Sequence, residues 1–186
     1  MSEASPAVPD VQWKLATFDN LTVRELYAVL QLRTEVFVME QNCAFQDMDG
    51  ADDQAVHLLG TQRTTGHEGD QLVAYARLFP AGVKFAEASI GRVITSGAVR
   101  GQGLGHTLIA RAVSSVHTLW GLQPIRIGAQ ARLKDYYSQH GFVDMGLPYV
   151  EDGIDHLEML GSPETPTLNA SRNSLPPKLA LQHWGG

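Results

Sequence analysis

Cysteine is almost missing from this 186-residue chain, which carries only Cys43. A single thiol excludes an internal disulfide framework and points to a reducing compartment. Long apolar runs are missing as well. No stretch approaches the ~20 residues needed to cross a bilayer. Met1 to Asp10 also lacks the apolar centre of a signal peptide. A cytoplasmic protein with no membrane association is therefore expected. Basic residues are in deficit, 14 Lys and Arg against 20 Asp and Glu, for a net charge of −6. That balance argues against a broad nucleic-acid surface and tilts the expected partner toward a cation such as an amine. Two phosphate-binding signatures are absent. A P-loop needs Lys-Ser/Thr after its last glycine, but His106 and Thr107 follow Gly105. A dinucleotide fingerprint begun at Gly101 or Gly103 meets His106 or Leu108 where its last glycine belongs.

What is present is a different glycine-rich turn, Val99-Arg100-Gly101-Gln102-Gly103-Leu104-Gly105. It follows the β-branched run Ile90 to Thr95 and precedes an amphipathic pattern, Leu104, Leu108, Ala112, Val116 and Leu119, that ends near Trp120. Strand, glycine turn and helix start in that order make an anion cradle. Glycines let the backbone approach a ligand, the first helical amides lack partners, and the helix dipole adds positive potential. Arg100 contributes a full charge at the lip. The alternative is a flexible loop before an ordinary helix.

Around this turn the chain divides into a flexible N-terminus (1–10), one domain (11–160) and a Pro-, Ser- and Asn-rich tail (161–186) whose composition predicts disorder or loose docking. Val11, Trp13 and Leu15 alternate as in a half-buried strand. Thr22 and Glu25 have capping-box spacing, with Leu21 and Leu26 at the staple positions, so a helix is expected from Thr22 to about Val38. Residues 39–53 are polar and acidic, an irregular acidic wall or a solvated charge run. A calcium loop begun at Asp47 fails because Leu58 stands where the bidentate Glu belongs. Further strands are expected at 55–61, 72–79, 88–95 and 125–130, with a hairpin turn at 66–70. A short helix from Arg132 to about His140, a strand from Phe142 and a last strand at 154–160 complete the order. Antiparallel strands followed by a βαβ crossover predict a mixed α/β sheet with helices on both faces.

Arg100, Gly103 and Gly105 match Arg-x-x-Gly-x-Gly, which resembles the coenzyme A pyrophosphate loop of the GCN5-related N-acetyltransferases (GNAT). Tyr137-Ser138-Gln139-His140-Gly141-Phe142 fits the family's Tyr-x-x-x-Gly-Phe. Blocks such as Leu30 to Arg33, Val36 to Val38, Glu40 to Cys43, Val73 to Arg77, Ile90 to Ile94, Gly128 to Ala131 and Glu151 to Ile154 are similar to its ElaA-like branch. The resemblance runs from about Trp13 to Leu160. It implies the GNAT fold, a mostly antiparallel sheet of six to seven strands split into a V between strands 88–95 and 125–130. It also implies acetyl-coenzyme A as co-substrate. The cofactor would contact Val93, Ile94, Thr95, Arg100, Gly101, Gln102, Gly103, Leu104, Gly105 and His106, and no metal is implied.

Acyl transfer then requires fixed donors for the developing oxyanion, and the backbone N–H groups of Val93, Ile94 or Thr95 are the candidates. Tyr137 resembles the family's general acid, with Tyr136 as fallback on another side of the helix. For the base, relatives carry a Glu on the strand before the loop. Here Arg92 lies in that region and Glu87 is further back. The candidates are Glu40, His57, His156 and Glu158, although a lone strand histidine is more often structural. His57 and His156 lack a third metal ligand at convincing spacing, and Cys43 reads as a buried small residue, not a nucleophile. The acceptor implied is a small amine or a protein amino group, with a homodimer allowed. The rival reading is a non-catalytic acyl-coenzyme A sensor.

Overall fold

The computed structural model describes residues 10–63 and 69–163. The expected turn at 66–70 therefore lies mostly outside the described residues, as do the first nine residues and nearly all of the 161–186 tail. Seven strands form one sheet in the order β1-β2-β3-β4-β5-β7-β6. They are β1 (Gln12–Thr17), β2 (Val56–Arg63), β3 (Asp70–Phe79), β4 (Ala88–Thr95), β5 (Ile125–Gln130), β6 (Phe142–Glu151) and β7 (Ile154–Gly161). Every adjacent pair is antiparallel except β4 and β5. The mixed, mostly antiparallel α/β architecture read from the sequence is the one observed.

Strand alternation sends the two sides of the central strands into two cores. Leu58, Ala74, Ala76, Leu78 and Ile90 pack beneath α2 (Leu104–Trp120), with Leu104, Leu108, Ile109, Ala112 and Val116 as its buried stripe. Leu59, Tyr75 and Ile94 face the other way, onto Val29, Leu32 and Val36. Those residues belong to α1 (Val23–Arg33) and to the π-helical segment Thr34–Glu40 that continues it. Thr22 Oγ1 accepts from the Glu25 amide at 3.2 Å and Glu25 Oε2 accepts from the Thr22 amide at 2.8 Å, completing the expected capping box. The α-helical part is shorter than expected. It widens to π geometry where Thr34 Oγ1 donates to the Leu30 carbonyl at 2.8 Å, a back-bond that competes with the regular ladder.

Two departures from regular pairing shape the site. The parallel β4–β5 ladder holds only at Ala88–Ile125 and Ser89–Arg126, after which the strands separate. On the other side of β4, Tyr75 pairs with Ile94 and Arg77 with Gly91. Arg92 and Val93 thus face Ala76 alone, which makes a β-bulge. The short helix expected from Arg132 to about His140 is reduced to α3 (Lys134–Ser138), after a 3₁₀ turn at Ala131–Leu133.

Candidate active site

The opening between β4 and β5 widens into a cleft of ≈ 1210 Å³. The glycine turn forms one wall. Gly101 and Gly103 both sit at φ +77°, the left-handed region where a Cβ is strained. Gly103 is the N-cap of α2 and supplies no side-chain acceptor, and no acidic residue stands in the first turn. The amides that a Ser, Asp or Glu normally satisfies therefore have no side-chain cap. Gly105 answers a different need: a Cβ there would lie 2.8 Å from Tyr136 Oη. Arg100 folds back along the turn, donating to the Thr95 carbonyl at 3.0 and 3.2 Å while its Nη1 pairs with Glu40 Oε2 at 2.7 Å.

The wall next to the glycine turn carries Tyr136 and Tyr137 from α3. Tyr137 is 8% exposed, its ring edge-on to Phe142 and Tyr136, and its hydroxyl bonds to no described residue. Burial, with a smaller contribution from Tyr136, pushes the Tyr137 hydroxyl well above the usual phenol range. The fallback Tyr136 does not face elsewhere. It lines the same cleft against His106, and burial raises its hydroxyl to about 12. Both tyrosines reach the cleft because α3, only five residues long, lies along its rim.

The four proposed bases fare differently. His57 is fully buried and absent from the cleft lining. Its Nε2 meets the Asp52 carbonyl at 2.9 Å and its Nδ1 the Tyr75 hydroxyl at 2.7 Å. A carbonyl only accepts, so Nε2 carries the proton and the Nδ1 lone pair is spent on Tyr75. Burial also lowers its pKa. His57 is a core residue here, and the sequence-based assignment to the site is corrected. Glu158 is also off the cleft, paired with Arg126 at 2.6 Å. Glu40 reaches the cleft but is committed to Arg100. His156 remains. It lines the cleft, stacks on Tyr149 at 5.3 Å, and its Nδ1 lies 2.8 Å from the Ile154 carbonyl. That carbonyl fixes the neutral tautomer with the proton on Nδ1, leaving the Nε2 lone pair unspent.

The acidic 39–53 segment is a wall and not a solvated run: Glu40, Gln41, Phe45, Gln46 and Asp49 line the cleft. Asp47 is 4% exposed and accepts from Arg33 Nε at 2.6 Å and from Arg92 Nε at 2.7 Å. Asp49 takes both terminal nitrogens of Arg77 at 2.7 Å, and Asp52 bridges Arg33 and Arg77 at 2.7 and 2.9 Å. Burial alone would raise the Asp49 and Asp52 pKa values, but their arginine partners hold both below the ordinary carboxylate range. Cys43 is half-buried, not buried as expected, with Sγ 3.2 Å from the Asp152 carbonyl. Among the described residues no group of His, Cys, Asp and Glu is arranged to hold a metal. None of their helices is long and apolar enough to cross a membrane. Sequence reasoning missed Tyr149, which meets His156 through the β6–β7 register, and also the Gln41–Gln130 hydrogen bond across the cleft at 3.0 Å.

Comparison with known proteins agrees with this geometry. Residues 31–161 match the family model for the acetyltransferase (GNAT) domain. Protein ElaA of Escherichia coli is 41% identical over 150 residues, covering 80% of this chain and 95% of that one. Among solved structures, an acyl-CoA N-acyltransferase from Pseudomonas aeruginosa superposes with a TM-score of 0.75 at 42% identity, over 82% of this chain and all of the other. Escherichia coli ElaA superposes at 0.72 with 38% identity, over 82% and 99%.

Proposed function

This chain belongs to the GNAT acetyltransferase family, and from that premise we propose that it is an acetyl-coenzyme A-dependent N-acetyltransferase acting on a primary amine within a ternary complex. One observation carries the reading. The parallel strands part directly beside the uncapped start of α2, so a single cleft offers an anion cradle, a slot for an extended thioester arm and the Tyr137 hydroxyl.

In this reading the diphosphate rests on the amides of Gly103, Leu104, Gly105 and His106, with Gly101 and Gln102 shaping the turn and Arg100 at its edge. The thioester carbonyl lies against β4, where amides of Val93, Ile94 or Thr95 donate to the developing oxyanion. The acceptor ammonium first gives a proton to His156 Nε2, the freed amine nitrogen bonds to the carbonyl carbon, and the carbon–sulfur bond breaks. The departing thiolate takes the Tyr137 proton, and the surplus proton on the new amide nitrogen then passes to the Tyr137 oxygen. A phenol raised by burial is fully protonated at neutral pH and so holds a proton ready for the departing thiolate. The acceptor, a small amine or a protein amino group, enters past Glu151 and Asp152, acidic residues that line that end of the cleft and favour a cation.

Thiol release from acetyl-coenzyme A against a panel of amines, with calorimetry on the cofactor alone, tests the reading. Release that depends on the amine supports it. Binding without release on any amine favours the acyl-coenzyme A sensor, which the displacement of the usual strand glutamate by Arg92 would suit. No association with acetyl-coenzyme A ends both readings.

A further inference from the structure

Arg92 adopts φ +50°, a left-handed conformation that is strained for an ordinary L-residue. It stands in the β4 bulge on the β3 side, opposite Ala76 and next to Val93, and both Arg92 and Val93 line the cleft. Strain of this kind persists only where the surroundings impose it. Those surroundings are specific. Arg92 Nε donates to Asp47 Oδ1 at 2.7 Å, Nη2 donates to the Asp47 carbonyl at 3.2 Å, and the guanidinium lies 5.6 Å from the centre of the Phe37 ring.

Asp47 is itself anchored. Its other carboxylate oxygen accepts from Arg33 Nε at 2.6 Å and its carbonyl from Arg33 Nη2 at 3.0 Å, and Arg33 is wholly buried in α1. Arg33 reaches Asp52 at 2.7 Å, Asp52 reaches Arg77 at 2.9 Å, and Arg77 pairs with Gly91 immediately before the bulge. Asp49 closes the circuit, 2.7 Å from Arg77 and 3.9 Å from Arg92. The bulge residue Arg92 and the flank at Gly91, through its partner Arg77, are thus tied into one ring of alternating charges rooted in α1. An exposed pair would hold little, but Asp47 is buried and doubly bonded, so its position is fixed.

We propose that Asp47 and Arg92 are positioning residues, an ion-paired brace that holds the β4 bulge in its left-handed form and so aims the Val93 amide at the thioester carbonyl. The inference rests on the acyl-transfer reading above and adds to it a source of precision outside the reacting groups. Arg92 acts through the backbone, not by touching substrate.

The test uses Arg92→Ala and Arg92→Gly, both of which leave Asp47 paired with Arg33. Alanine loses the brace and keeps the strain, whereas glycine loses the brace but adopts positive φ freely. Arg92→Ala is expected to lower kcat about 10- to 100-fold, part of what loss of an oxyanion donor costs, with KM for acetyl-coenzyme A within about twofold. Arg92→Gly is expected to recover most of that kcat. In ¹⁵N-labelled protein bound to desulfo-coenzyme A, the Val93 amide resonance should move in Arg92→Ala and return toward its place in Arg92→Gly. Wild-type kcat in Arg92→Ala overturns the brace, and so does Arg92→Gly as slow as Arg92→Ala, which would mean that the guanidinium meets substrate. If the wild-type protein turns over no amine, the acyl-transfer reading fails separately. The Val93 resonance still decides the brace: a Val93 amide displaced in Arg92→Ala by no more than the new preceding residue alone produces in an unfolded peptide refutes it.

Discussion

His106 Nδ1 and His140 Nε2 stand 2.9 Å apart, with His140 only 2% exposed and its Nδ1 buried without a partner among the described residues. A proton on that Nδ1 would be an unsatisfied buried donor, so the proton belongs on Nε2 and is given to His106. Tyr136 covers the pair, its ring 4.8 Å from His106 and 5.5 Å from His140.

A pH dependence of stability follows. Burial, with His106 adding to it, lowers His140 to about 4, whereas an unfolded histidine titrates near 6.5. Between these values the unfolded chain binds a proton that the folded protein refuses. The contribution is therefore complete above about pH 6.5 and is lost as pH falls toward 4. His57, also lowered by burial, acts in the same direction. Urea unfolding at pH 7.5 and pH 5 should show His140 alone removing about 2 kcal/mol, with a smaller difference in His140→Gln. Equal wild-type stability at the two pH values would contradict this assignment.

Gly105 and Tyr136 make a paired prediction. A methyl at Gly105 would press on Tyr136 Oη at 2.8 Å, so either the ring or the turn that forms the cradle must shift. Gly105→Ala should weaken acetyl-coenzyme A binding about tenfold, or ~1.4 kcal/mol. The double variant with Tyr136→Phe should bind within about threefold of wild type, because the colliding atom is gone. Calorimetry on the four proteins of the cycle gives the coupling. Additive losses would show that the methyl meets the ligand and not the tyrosine.

The parts of the fold that were legible in the chain are those written in local chemistry. The bounds of α2 follow from Gly103 and Gly121, both at positive φ, and from a stripe of helical period. The α1 start follows from a capping box contained in four residues. Tertiary pairing was not legible. Arg92 and Asp47 are 45 residues apart in sequence with no periodicity to join them, so the segment around Asp47 read as surface although its carboxylate is interior. His57 and His156 look alike as strand histidines. What separates them is the neighbour each ring meets, Tyr75 in the core for one and a free cleft edge for the other.

Tyr137→Phe tests the general acid. Removing a hydroxyl that bonds no described residue leaves the packing against Phe142 intact, so folding and cofactor affinity should change less than about twofold. Turnover should fall about 100-fold. Because burial raises the wild-type hydroxyl, the rate should also show no decline from phenol ionisation up to pH 10. A large loss of cofactor affinity in the variant would instead make Tyr137 a packing residue.

The proton acceptor yields the sharpest test. With Nδ1 donating to the Ile154 carbonyl at 2.8 Å, His156 offers only Nε2 to an incoming ammonium. Asn at this position can keep a donor near the carbonyl but cannot take a proton. His156→Asn should therefore lower kcat/KM about 100-fold at neutral pH. As pH rises through the acceptor's own pKa, the amine arrives already neutral, so the gap between variant and wild type should narrow to within about tenfold. Cofactor affinity should not move, because His156 lies across the cleft from the glycine turn on β7. A constant gap at every pH would mean that the ring only supports Tyr149, on which it stacks at 5.3 Å. Tyr149→Leu would then reproduce the whole defect, whereas a true base leaves that variant with the wild-type shape of pH profile.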